Sequence, residues 1–372
     1  MRGLLARTIW LCLLPLLTCA AADTGSSQSA CGVQPPGGQW SSAAPWIAGI
    51  NSGALAASLT PEQREAWADY SKSSDADWTK LRRQYLDRID AWRSHNLANV
   101  SANVAFYPFG GPDAANLFVF YPDAREYVLV GLEPVGCIPS SIADYTPDYF
   151  TQLRTGLSSV VALGFFRVDD MRRDVTNSNL SGVLPLLLFL IQRSGMTITD
   201  VTPIGIPANG VLAAGANLDK PETSGVAITF TDARHGSRIL RYFALNLENS
   251  RLKRKPGTMK YLQGLPQTVT LVKAAEYLMH KPYFSTIRST ILTKSSIVVE
   301  EDSGIPYHYF EPANWDVRLF GTYSEPIKLF KDWSQDDLKT AYSGTGVQPL
   351  DFALGYRRRG QANLLVAVRK TK

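Results

Sequence analysis

The first regular pattern of apolar and polar positions along the chain has the period of an α-helix. Between residues 61 and 100, large apolar side chains recur every three to four positions on otherwise polar segments, as amphipathic helices require. These side chains are Trp67, Tyr70, Leu81, Tyr85, Ile89 and Trp92. Thr60 followed by Pro61 is typical of a helix start. We therefore expect residues 46–100 to form a helical lead that packs one face onto the main body.

From residue 101 onward, strand-like and helix-like stretches alternate. Strands are predicted over residues 104–107, 127–132, 197–206, 297–299, 317–323, 352–356 and 364–368, and helices over 150–163, 181–193, 269–279 and 283–292. Strands that alternate with helices of about ten to fifteen residues indicate crossover units and parallel pairing. The expected fold class is therefore α/β, with a Rossmann-like, largely parallel sheet in one domain that covers residues 101–372.

Two stretches within that domain have a more specific pattern. Residues 226–230 and 239–243 flank the turn from Asp232 to Gly236, which predicts an antiparallel hairpin inserted in the sheet. Residues 183–191 are apolar almost throughout but are far too few to span a membrane. We expect them to lie in a buried core helix.

The first 45 residues have the pattern of an export signal and a tether. Arg2 and Arg7 precede an apolar run over residues 9–17 and then three alanines at residues 20–22, which predicts a signal peptide over residues 1–22. Residues 23–45 are rich in Ser, Gly, Ala, Gln and Pro, which favours a flexible tether. Cleavage before Asp23 and lipidation of Cys19, which ends a lipobox-like string, both remain open. The protein is thus expected in the periplasm or anchored at the cell envelope.

Composition narrows the chemistry only slightly. The net charge of +5 is distributed over interspersed acids and bases, so bulk charge gives no support to a nucleic-acid partner. Outside the signal, the cysteines are Cys31 and Cys137, which could form a disulfide in an oxidising compartment or stay as two thiols. No CxxC pair or Cys/His cluster suggests a metal site.

The stretch over residues 104–133 looks most like a ligand site. Gly110 and Gly111 follow a strand-like segment, and Glu133 lies at the end of the next one, about the spacing that brings an acid to a ribose hydroxyl in a Rossmann unit. Glycines there let backbone amides approach a ligand. We expect Gly110, Gly111, Asp113 and Glu133 to bind a ligand. Residues 117–121 leave an alternative open, because they could form a strand of a hairpin instead of a helix.

A second candidate follows the strand predicted at 297–299. Glu300, Glu301 and Asp302 are three consecutive carboxylates, followed by Ser303 and a glycine turn, and we expect Glu301, Asp302 and Ser303 to bind a ligand. Crowding would raise the pKa of at least one of these acids. If the sheet is parallel here, this loop shares a sheet edge with Glu133. A solvated acidic turn is the alternative.

Two resemblances accompany these motifs. The plan of residues 104–133 is similar to the first unit of Rossmann-like methyltransferases, which implies an adenosyl cofactor, although their GxGxG core is absent. The strings YPFGGPD, GLEPVG and EDSGIP resemble those of an uncharacterised family of exported bacterial proteins, which supports an envelope location without implying an activity.

Known catalytic motifs give no help with the activity. GxSxG, SxxK, HExxH, the P-loop and the EF-hand pattern are all missing, so no catalytic residue or cofactor is assigned. The first hypothesis is a ligand-binding or interaction protein whose partner is a small molecule or an envelope component. The alternative is a hydrolase or metal-assisted enzyme whose carboxylates meet in one cleft. The third is a diverged methyltransferase-like fold.

Overall fold

A computed structural model describes residues 33–50, 53–165, 180–215, 218 and 220–371. The predicted signal peptide, Cys19 and Cys31 lie outside the described residues. The structure therefore concerns the part of the chain that was expected to fold into the helical lead and the α/β domain.

One mixed sheet runs through this part of the chain. Its strands are β1 (Val104–Tyr107), β2 (Glu126–Gly131), β3 (Thr197–Ile206), β4 (Ala213–Ala214), β5 (Thr223–Asp232), β6 (Gly236–Ala244), β7 (Thr268–Val272), β8 (Ser295–Glu300), β9 (Trp315–Gly321) and β10 (Asn363–Arg369). Their order is β4-β3-β5-β6-β2-β1-β7-β8-β10-β9. The five central strands, which lie in the order β6-β2-β1-β7-β8, pair in parallel. The pairs towards both edges of the sheet are antiparallel. The α/β class is confirmed, but the sheet is mixed and not largely parallel.

Helices cover both faces of the sheet. They are α1 (Trp40–Ile47), α2 (Pro61–Leu81), α3 (Asp87–Asn96), α4 (Ala114–Phe120), α5 (Pro147–Leu163), α6 (Leu184–Arg193), α7 (Asn249–Lys253), α8 (Pro256–Gly264), α9 (Ser285–Lys294) and α10 (Asp336–Tyr342). Helices α1 to α6 contribute to one apolar core, and α7 to α10 contribute to the other. Because strand side chains alternate between faces, Leu129 belongs to the first core and Val128 to the second.

Most elements form where the pattern predicts them. The hairpin of β5 and β6, the strands β1, β3 and β8, and the helices α5 and α9 confirm their predictions. The apolar run forms α6, in which every residue from Leu184 to Ile191 is buried. Helices α2 and α3 lie within the range expected for the helical lead: their Tyr70, Leu81 and Ile89 pack in the first core, and Thr60 caps α2.

Three predictions need correction. The helix expected over 269–279 is wrong, because its first half is β7, a strand buried on both faces. Such a strand has a continuous apolar run that periodicity cannot distinguish from a buried helix. Residues 352–356 form no strand, although Phe352 and Leu354 are buried alternately and so imitate one. Residues 40–45, expected in the tether, lie in α1, so the predicted tether is shorter at its carboxyl end.

Candidate functional site

The carboxyl ends of the parallel strands meet at one edge of the sheet, where the strand order reverses. The chain goes from β1 to β2 on one side, and β7 adds on the other side of β1. Ligands of open α/β sheets bind at such a reversal. Helix α4 connects the parallel strands β1 and β2, so the predicted crossover unit is confirmed over the hairpin alternative. Asp113 caps this helix by accepting a hydrogen bond from the backbone N–H of Asn116.

Two cavities open at this edge. The larger has a volume of about 980 Å³ and the smaller about 270 Å³. Phe109, Gly110, Ala274 and Glu276 line both of them. The loops that follow β1 and β7 therefore form the partition between the two cavities.

Glu133 lies in the wall of the smaller cavity, beside the predicted glycine turn. Gly111 has a φ of +54°, and a Cβ added to it would lie 3.6 Å from Oε2 of Glu133. The hydroxyl of Tyr242 donates to the backbone oxygen of Glu133 at 2.9 Å and to its Oε2 at 3.4 Å. Burial, and then the neighbouring Glu133 carboxylate, raise the pKa of Tyr242 well above its usual value, so its hydroxyl remains a donor. Glu133 is thus a buried acid against an otherwise largely apolar cavity wall.

A buried ion pair lies in the wall of the larger cavity. Nζ of Lys273 is 2.9 Å from Oδ2 of Asp113 and donates to the backbone oxygen of Gly164 at 2.6 Å. The Tyr107 hydroxyl donates to Asp113 at 3.3 Å, and the Asn116 side chain donates to it at 2.9 Å. Sequence reasoning identified Asp113 but missed Lys273. Its position could have identified Lys273, since it is the first residue after the parallel strand β7. The mistaken helix prediction hid this position.

The loop after β7 has an unusual backbone. Ala274, Glu276 and Tyr277 have φ values of 51°, 52° and 54°, in the left-handed region. Each such residue costs about 1–3 kcal/mol and persists where its surroundings hold it, often at functional sites. Both cavities are lined by Ala274 and Glu276, so the strained backbone lies at the partition.

The acidic run after β8 holds this loop in place. Oε1 of Glu301 accepts from the backbone N–H of Ala274 at 2.8 Å, and Oγ of Ser303 accepts from that of Ala275 at 2.9 Å. Oδ2 of Asp302 accepts from the Tyr277 hydroxyl at 2.5 Å. Burial, and then the neighbouring Asp302, raise the pKa of Glu301 to about 8. These side chains are buried behind the loop, and none is among the described lining residues of the two cavities.

The predicted site residues therefore gather at one edge but in three surroundings. Gly110 and Asp113 line the larger cavity, Gly110, Gly111 and Glu133 line the smaller one, and Glu301, Asp302 and Ser303 support the loop between them. Among the described residues, no group of three His, Cys, Asp or Glu side chains could hold a metal ion. The carboxylates are separated by the loops, which argues for distinct roles.

Two further findings concern Cys137 and the helices. Cys137 is disulfide-bonded, and because Cys31 lies outside the described residues, their pairing stays a prediction. In the part of the chain that the structure describes, none of the helices has the length and apolar character needed to cross a membrane.

Comparisons with known proteins add no relative to this picture. The chain matches no family model, no curated protein and no solved structure. The geometry at the carboxyl edge of the sheet therefore carries the functional argument.

Proposed function

We propose that the protein is an exported binding protein with a Rossmann-like core, which takes a small hydroxyl-bearing ligand next to Gly110, Gly111 and Glu133. When the five parallel strands are numbered by their order in the chain, they lie side by side as 3-2-1-4-5. A dinucleotide-binding sheet begins with the same order and binds its ligand where the order reverses. The glycine turn of this protein lies at that point, after β1.

The observation that carries the proposal is the buried Glu133 beside Gly111. A carboxylate accepts hydrogen bonds from hydroxyl groups, and a glycine without a Cβ leaves room for a ligand to approach the backbone. The cavity also has apolar wall residues, among them Leu132, Leu278 and Phe284. This combination suits a ring that carries hydroxyl groups, as in nucleosides and sugars, and it is compatible with a diverged methyltransferase-like fold. The carboxylate-enzyme hypothesis would bring Asp113, Glu133, Glu301 and Asp302 into one cleft. It has less support, since these four acids do not line one cavity.

Substitution of Glu133 should abolish most of this binding. We expect Glu133→Gln to weaken the binding of the ligand by about ten- to a hundredfold, because a hydrogen bond to a charged group contributes about 1.5–3 kcal/mol. Isothermal titration calorimetry with adenosine, S-adenosylmethionine and glucose would measure the loss, after a thermal-shift screen selects the probe that raises the melting temperature. Glu65→Gln, an exposed position of α2, is the matched control and should bind as the unchanged protein does.

Either of two results would contradict the proposal. One is that no nucleoside or sugar stabilises the unchanged protein. The other is that Glu133→Gln binds the selected probe as tightly as Glu65→Gln does.

The proposed export can be tested on the mature amino terminus. We expect mass spectrometry of the protein from a bacterial envelope to show a chain that lacks the predicted signal peptide. A first residue of Asp23 would exclude lipidation, and a lipid-modified Cys19 would establish it. A chain that retains Met1 and residues 2–18 would contradict export by this route. The same spectra without reduction would show whether Cys31 is the partner of Cys137.

A further inference from the structure

We infer that the larger cavity is a second binding site, which takes a small organic anion with an apolar body. This inference goes beyond the proposed function, because it concerns the opposite side of the partition from Glu133. It rests on the charge of the cavity, on Lys273 in its wall and on its aromatic side chains.

The cavity is strongly basic. Of its described lining residues, seven are Lys or Arg and two are Asp or Glu. Four of the cations, Lys80, Arg83, Arg357 and Arg358, form no ion pair with any described residue. Like charges gathered around a concave surface raise the local concentration of anions. A ligand with a phosphate or carboxylate group would offset this excess of positive charge.

Lys273 gives the anion a buried point of attachment. Its side chain is 2% exposed and nevertheless lines the cavity. An ammonium group has three N–H donors, and the described residues supply acceptors for two of them, at Asp113 and Gly164. Among the described residues none accepts from the third donor, and we assign it to an oxygen of the ligand. A charge-assisted hydrogen bond in such a water-poor place is stronger than one at the surface.

The remaining wall suits an apolar body attached to the anionic group. The rings of Phe165 and Phe330 lie 5.4 Å and 5.2 Å from that of Tyr356, measured between centroids. Leu329, which is 78% exposed, adds an apolar side chain to the same wall. The volume of about 980 Å³ lies at the upper end of the range for small-molecule sites, about 300–1,000 Å³. Inorganic phosphate alone would leave the aromatic wall unused.

Phenyl phosphate is a suitable probe, because it combines both features. We expect saturable binding in calorimetry, weaker at higher salt, with phenol and inorganic phosphate binding at least tenfold more weakly. The double variant Arg83→Gln/Arg358→Gln should lose at least tenfold in affinity. The matched control is Arg234→Gln/Arg251→Gln, which removes the same charge from two exposed arginines away from the cavity and should lose less than twofold.

Several outcomes would overturn the inference. They are the absence of saturable phenyl phosphate binding, equal losses in the two double variants, and phenol binding as tightly as phenyl phosphate. Glu133→Gln should bind the probe normally, and a loss there would show that the probe occupies the smaller cavity instead. A protein that binds phenyl phosphate but no nucleoside or sugar would support this site and count against the proposed function.

Discussion

Removal of either member of the Lys273–Asp113 ion pair should destabilise the domain by about 3–5 kcal/mol. Both side chains are almost fully buried, so the group left behind would be buried without its counter-charge or would have to lose its own charge, and either carries a free-energy cost. Lys273→Met leaves the carboxylate of Asp113 with only the neutral donors Tyr107 and Asn116. Asp113→Asn leaves the ammonium with the carbonyl of Gly164. Urea unfolding of the two variants, followed by circular dichroism, would give the free energies.

A double variant measures how strongly the charges of Lys273 and Asp113 depend on each other. Lys273→Met/Asp113→Asn leaves no uncompensated charge, so it should lose much less than the sum of the single variants. The exposed pair of Arg82 and Asp87 provides the control, since Arg82→Met should cost less than about 1 kcal/mol. If the losses of the single variants simply add, the two groups are not coupled and the predicted magnitude is wrong.

The same energetics favour a functional reason for the pair. Apolar residues of similar volume can often replace a buried ion pair without loss of stability. A contribution to stability therefore does not explain why this protein has the pair. The pair lies in the wall of the larger cavity, next to the loop with the left-handed residues Ala274 and Glu276. This position is the one expected if the pair serves the second binding site inferred above.

The fold could be predicted from the sequence wherever one side of an element faces solvent. The helices around Tyr70 and Ile89, and the hairpin after Asp232, have a polar face that shows their period or a turn that shows their direction. β7 has no polar face, and its misassignment concealed Lys273 at its end. The misassignment of one buried strand thus removed Lys273, the partner of Asp113, from the predicted site.

The sequence placed several of the candidate residues at one edge of the sheet but did not reveal their contacts. Gly111 and Glu133 are close in sequence and lie in one crossover unit, so spacing alone could bring them together. Glu301 also reaches this edge of the sheet, yet its contact with Ala274 depends on the pairing of β7 with β8. Pairing between distant strands is not visible in a local pattern. The basic wall around Arg358 was missed for the same reason, because it joins distant parts of the chain.

The stability of the domain should fall as the pH rises from 6.5 to 8, and Glu301→Gln should reduce that fall by about 2 kcal/mol. The folded state raises the pKa of Glu301 from 4.5 to about 8, so between these values it binds more protons than the unfolded chain. Stability from this group is then fully present below the unfolded pKa and is lost as the pH rises through the folded one. Each unit corresponds to about 1.36 kcal/mol, which gives the magnitude over this window.

The choice of window and variant isolates Glu301. Burial lowers the pKa of His280 to about 4, so this residue makes stability rise with pH below 6.5 and stay constant above. Glutamine keeps an acceptor for the Ala274 N–H, and Glu311→Gln at the exposed surface is the matched control. Urea unfolding at several pH values should show that the free energy of unfolding falls less steeply with pH in Glu301→Gln than in the other two proteins. Some fall should remain in Glu301→Gln, because burial also raises the pKa of Glu300. Equal slopes in all three proteins would mean that the carboxyl group of Glu301 does not hold its proton, and that the loop after β7 is held by a charged acceptor.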